Sequence, residues 1–147
     1  RFNEMVLWGS LHKVAQLVSE DEKRLELQEV QQSYIQKDIR GLVGDENIAA
    51  FNRFIAVIAD QTTQLTNVQG LAMAVGLKRT EVEKYLFVLE HTYINDLVAP
   101  FYKNTRKEVS KQPKSFFYDN GVRNQILNNF SNDPNRWGAL LENTVYQ

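Results

Sequence analysis

The chain has 147 residues, 24% charged and 43% hydrophobic, with a formal net charge of −1 and no cysteine. These values fit one ordinary domain or two small ones with a real core, and they exclude a disulfide framework, a thiolate metal site and a cysteine nucleophile. They also leave no global field to draw the chain to nucleic acid or an anionic membrane, so an electrostatic partner needs a local patch.

No apolar run approaches the roughly 20 residues of a membrane helix, and no signal-peptide pattern opens the chain. A reducing cytoplasm is the expected compartment, with no membrane partner. Because the sequence starts at Arg1 and stops at Gln147 inside amphipathic patterns, it reads as a piece of a longer protein. The pattern is helical from Phe2 to Leu17, and again from Glu22 to Ile39, where Leu27, Val30, Tyr34 and Ile35 share one face. Gly41 and Gly44 then mark a boundary, with Asp45 placed to cap the next helix. That helix carries Ile48, Phe51, Ile55 and Ile58. After the polar stretch Asp60–Asn67, a short helix capped by Asn67 turns Val68, Leu71, Ala72 and Val75 inward and ends at Gly76.

Lys78–Ile94 forms the third helix of this set, with Val82, Tyr85, Leu86 and Leu89 at i, i+3, i+4 and i+7. Two helices joined by a glycine turn match a helix-turn-helix. The period then changes, and Ile94–Tyr102 and Lys114–Asp119 read as the strands of one hairpin. The predicted fold is therefore mainly α: a winged helix of three helices plus a hairpin wing, flanked by further helices on both sides. Beyond it, Asp119–Gly121 is a turn leading into a helix over Val122–Phe130, with Asp119 near its N-terminal amides. A last helix from Arg136 places Trp137, Leu140, Leu141 and Val145 on one face.

No phosphate-cradling glycine loop is present. His12 and His91 have no second ligand at helical spacing, so no metal site is expected, and no serine nucleophile with a base stands out. The chain taken alone reads as non-catalytic, with no cofactor. Its clearest functional signal is the basic hairpin tip, where Arg106, Lys107, Lys111 and Lys114 face only Glu108, a pattern suited to phosphates. On the third helix Lys78, Arg79 and Lys84 are candidates for duplex DNA, but Glu81, Glu83 and Glu90 nearly balance them. Phe87 and Val88 suggest packing against protein instead.

Several residues in this order resemble the C-terminal half of predicted prokaryotic AAA-plus ATPases carrying the domain of unknown function numbered 4143. They are Leu71, Ala72 and Gly76; Tyr85, Leu86, Leu89 and Glu90; Pro100; Lys111, Pro113 and Lys114; Asp119 and Gly121; and Gly138, Leu140, Glu142 and Asn143. Tyr34–Ile39 is similar to the end of that family's ATPase lid. The chain departs from the family at Trp8–Val14, which replaces a Gly-Gly-x-Pro turn, and at Lys78 and Glu81, which replace a Ser or Thr cap. The resemblance implies lid-like helices over residues 1–44, a winged helix over 45–118 and the start of a nuclease-like unit over 119–147. It also implies a parent that uses ATP and magnesium, a coupling role for this segment toward the rest of its own polypeptide, and a nuclease-site place for Glu142. DNA binding through the basic wing is the alternative. Asp119 and Gly121 are expected to hold a turn.

Overall fold

The computed structural model describes residues 2–100 and 112–147. These are mainly helical, with one small antiparallel sheet. The hairpin tip, with Arg106, Lys107 and Lys111, lies outside the described residues. No helix among the described residues is long and apolar enough to cross a membrane.

The first helical run is two helices, α1 (Phe2–Trp8) and α2 (His12–Gln16). It breaks at Gly9, whose φ of 78° is left-handed, a conformation that costs glycine little and other residues more. The continuous run expected from the sequence is interrupted by this left-handed turn, where the carboxylate of Asp119 occupies the space a Cβ at Gly9 would need. α3 (Glu20–Tyr34) opens with Glu20, Asp21 and Glu22, whose charge complements the amide end of the helix dipole. It runs through a wide π-type turn, Ile35–Ile39, into the short α4 (Arg40–Val43). Asp45 caps nothing. Its carboxylate accepts instead from Arg40 at 3.0 Å, and a single tight turn, Asp45–Asn47, leads into α5 (Ile48–Asp60).

α6 (Val68–Val75) starts on an Asn67 side chain that accepts from the Gly70 N–H at 2.9 Å, and stops at Gly76 with φ of 69°. α7 (Arg79–His91) follows. The inward faces of α5, α6 and α7 meet in the larger apolar cluster. At its centre Phe51, Phe54 and Tyr85 pack with ring centroids 5.3–6.3 Å apart, and Val82 and Leu89 are fully buried. Each such side chain contributes about 1.5–3 kcal/mol by leaving water.

β1 (Asn95–Val98) pairs antiparallel with β2 (Lys114–Phe117), Asn95 opposite Phe117 and Val98 opposite Lys114. The other edge of β2 is also occupied. Thr63 N–H donates to Ser115 O at 2.6 Å, Ser115 N–H to Gln64 O at 3.1 Å, and Thr66 N–H to Pro113 O at 2.7 Å. The polar stretch between α5 and α6 thus runs alongside β2 and bridges Lys114 at Leu65, an arrangement its polar composition does not announce.

Two helices close the chain, α8 (Asn120–Ile126) and α9 (Pro134–Tyr146). α8 stops short of the expected Phe130, and Asn128 beyond it takes a left-handed φ of 47°. α8 packs on α1, α3 and α5, so residues at the two ends of the sequence share a second cluster of Trp8, Val14, Leu27, Val122 and Phe130. Trp8 and Phe130 stack at 4.4 Å. On α9 the expected apolar face is wrong beyond Leu140: Val145 is 86% exposed, while Asn143 and Thr144 turn inward.

Phe54→Ala removes a fully buried ring that touches both Phe51 and Tyr85. It should cost about 3–5 kcal/mol of unfolding free energy, read from the shift of the urea midpoint.

Candidate functional site

The outward side of α7 carries the candidate cations. Lys78, Arg79 and Lys84 are all exposed. Arg79 Nε donates to Glu83 Oε1 at 2.8 Å, one turn along the same helix. Glu81 turns back to accept from the Lys78 N–H at 2.8 Å, the acidic half of a capping box, which satisfies an amide that a Ser or Thr cap would leave free. Lys78 and Lys84 have no acid within ion-pair distance among the described residues. Further along, Val88 is buried and Phe87 is 58% exposed. The Phe87 ring stacks on His91 at 3.7 Å, and the His91 ring nitrogen Nδ1 bonds the Phe87 carbonyl at 2.9 Å. Met73, on the adjacent α6, is 77% exposed. The other histidine, His12, bonds Gln16 at 2.9 Å.

Lys114 sits on β2, where its ammonium donates to Glu142 of α9 at 2.7 Å. Both side chains are half exposed. The candidate wing cation and the candidate nuclease carboxylate therefore neutralise each other across the β2–α9 contact.

Asp119 and Gly121 lie at a close meeting of distant chain segments. One Asp119 oxygen accepts from the Val122 N–H at 2.9 Å, capping α8, and the other from the Ser10 N–H at 2.6 Å, 109 residues away. Burial pushes the Asp119 carboxyl up from its ordinary range, opposed by the backbone N–H groups that face it. Gly121 has no room for a side chain, because a Cβ there would overlap the Trp8 carbonyl.

Behind this contact is a buried polar seam that sequence reading missed. Asn143 Nδ2 donates to Phe117 O at 2.9 Å while its Oδ1 accepts from Phe117 N–H at 2.8 Å. Phe117 lies on the edge of β2 that meets residues 63–66, so the Asn143 amide takes the place of the next residue of a neighbouring strand. Asn143 Nδ2 also reaches Asn120 Oδ1 at 2.8 Å, and Asn120 donates to Leu140 O and Thr144 Oγ1. Arg123, 4% exposed, gives Nε to Ala59 O at 2.8 Å and Nη1 to Asn124 Oδ1 at 2.9 Å. Asn124 Nδ2 bonds Leu7 O at 2.8 Å. Burial, and then the charge of Arg136, lower the Arg123 pKa to about 10. A sequence signal for this seam existed. Asn120 and Asn124 stand one turn apart, and Asn143 follows Leu140 by three, both spacings that put polar groups on a packed face.

Among the described residues no group of three His, Cys, Asp or Glu is placed to hold a metal ion. Comparison with known proteins gives one family: the model of the Domain of unknown function (DUF8612) matches residues 1–133. No curated protein matches, and no solved structure does. This match overturns the resemblance to AAA-plus ATPases carrying the domain numbered 4143. The inferred lid, nuclease unit and ATP-using parent lose the resemblance they rested on. The physical reason is visible in the matched residues. Leu71, Tyr85, Leu86 and Leu89 are core positions and Gly76 a helix stop, requirements that any helix pair of this geometry imposes.

Asn143→Leu strands the Phe117 N–H and C=O and should cost roughly 3 kcal/mol. Lys114→Ala breaks only a half-exposed pair and should stay within about 1 kcal/mol of the parent. Chemical denaturation of both variants checks the contrast. In the same assay Gly121→Ala should destabilise by about 3 kcal/mol through overlap with the Trp8 carbonyl, whereas Gly138→Ala, on the open side of α9, should stabilise by about 0.5–1 kcal/mol.

Proposed function

The chain belongs to the Domain of unknown function (DUF8612) family, and from its geometry we propose that it is a non-catalytic interaction module built on a winged helix, whose α6–α7 face meets another protein. The winged-helix reading rests on the α5–α6–α7 set, the β1–β2 ribbon and the extended segment before α6 that lies along β2. A reducing cytoplasm is its proposed compartment, in line with the lack of cysteine.

The observation that carries the interaction reading is the outward side of α7. Arg79 is tied to Glu83 and Glu81 to the helix start, while Phe87 and Met73 stand in water. A helix lying in a DNA groove gains from uncompensated cations and amides, and its carboxylates are repelled by phosphates. Exposed aromatic and methionine side chains among compensated charges suit the buried centre of a protein interface. The non-catalytic reading draws on two carboxylates engaged elsewhere, Asp119 on backbone amides and Glu142 on Lys114.

DNA binding is the second reading, kept by the ammonium groups of Lys78 and Lys84, which no described acid neutralises. Titration against duplex DNA across salt concentration separates the two. The interaction reading expects no measurable binding near physiological salt. Affinity that falls linearly with log salt, with a slope reduced in Lys78→Ala and Lys84→Ala, would establish phosphate contacts and replace it. A photo-crosslinking residue at position 87 should give protein adducts in cells, absent when it is placed at the exposed Gln28 of α3.

A further inference from the structure

Between α1, α2 and the start of α3 the surface opens into a cavity of about 420 Å³, within the size range of small-molecule sites. Phe2, Met5, Trp8 and Val14 line it, and Lys23 reaches into it. The Lys23 side chain is only 6% exposed. A lysine is seldom so enclosed without full pairing, because its ammonium loses water on three donor sites. Here the ammonium donates to Glu4 at 3.0 Å and to no other acceptor among the described residues.

The pair is lopsided. Glu4 is 61% exposed, so the cation lies inside the cavity and its carboxylate partner at the rim. A second cation stands close by: the Arg24 guanidinium lies 4.7 Å over the Phe130 ring and 5.6 Å over Trp8. No acid forms an ion pair with it among the described residues. Lys23 itself lies 5.7 Å over Trp8. Among the described residues two positive charges thus lie over the Trp8 ring and one carboxylate, Glu4, stands at the rim, while the Asp119 carboxylate is turned to the Ser10 and Val122 amides.

From this combination we propose that the cavity binds a small amphipathic monocarboxylate, its apolar body against Phe2, Met5, Trp8 and Val14 and its carboxylate on Lys23. Charge selects the class: an anion gains a charge-assisted bond from an enclosed ammonium, whereas a cation meets the charge of Lys23. The shortage of other donors argues against a phosphate. Ser10 lines the cavity, but its N–H and hydroxyl are already committed to Asp119. Apolar walls favour a carboxylate attached to hydrocarbon over a sugar acid. The site lies on the N-terminal helices, away from α7, and is independent of the interaction reading.

Trp8 is one of two tryptophans, so in a Trp137→Phe background its fluorescence reports on the cavity alone. Decanoate, decanol and decylammonium, all below their micelle concentrations, are the probes. The expected result is saturable binding of decanoate, about tenfold weaker binding of decanol and none of decylammonium. Lys23→Met should erase the preference for carboxylate over alcohol, and Lys23→Arg should keep it. Glu4→Gln should tighten decanoate binding several-fold by removing the competing carboxylate, and Ala15→Phe at the rim should block every probe without adding a second fluorophore. Equal affinity for decanoate and decanol, or decanoate binding unchanged in Lys23→Met, overturns the proposal. If Lys23→Met fails to fold by circular dichroism, the Glu4→Gln and Ala15→Phe results decide: no tightening in the first or no block in the second overturns it.

Discussion

The carboxylate of Asp119 is the fastening on which the arrangement of this chain depends. With one oxygen it caps α8, and with the other it holds Ser10 in the turn between α1 and α2. A charged acceptor between backbone donors makes bonds stronger than neutral ones, and here they join segments 109 residues apart. Two glycines make the approach possible. Gly9 leaves room for the carboxylate, and Gly121 lets the first turn of α8 lie against the Trp8 carbonyl. Once the segments are drawn together, Trp8, Val14, Leu27, Val122 and Phe130 exclude water, and Ile94 and Ile126 touch both this cluster and the larger one. The fastening is polar, while most of the stabilisation it permits is apolar.

The interior next to it is polar too. Asn120, Asn124, Asn143 and Arg123 are nearly or fully buried, and their amide and guanidinium groups bond backbone carbonyls or one another from α1, α5, α8, α9 and β2. Among the described buried side-chain atoms only Thr66 Oγ1 lacks a partner. In a low-dielectric interior a fully satisfied network of this kind specifies one arrangement, since any slip leaves an amide unbonded at a cost of about 1–3 kcal/mol. Asn143 shows the device at its most economical. One amide supplies both the donor and the acceptor that the Phe117 peptide requires.

Two surfaces differ from this satisfied interior in opposite senses. On α7 Arg79 and Glu81 are engaged within the helix, Lys78 and Lys84 face no described acid, and Phe87 is left in water. Around Trp8 the apolar walls are in place and the charge is only partly matched. Neither pattern depends on the family assignment. The core leucines and turn glycines shared with the ATPase family record how helices stop and pack, and unrelated chains under the same packing demand converge on them.

Much of the architecture was legible in the sequence, because helices and strands that bury one face must repeat apolar residues with a fixed period. The cores of α5, α6 and α7, the stop at Gly76, the caps at Asn67 and Asp119 and the β1–β2 pairing all follow from spacing within a few residues. What spacing cannot specify is a partner remote in the chain. The left-handed turn at Gly9, the run of Thr63–Thr66 along β2, the pairing of Lys114 with Glu142 and the inward turn of Asn143 each involve a group 26 to 110 positions off. Periodicity names the face of a helix that leaves water; only tertiary structure decides which donor waits there, and hence whether a polar side chain belongs inside.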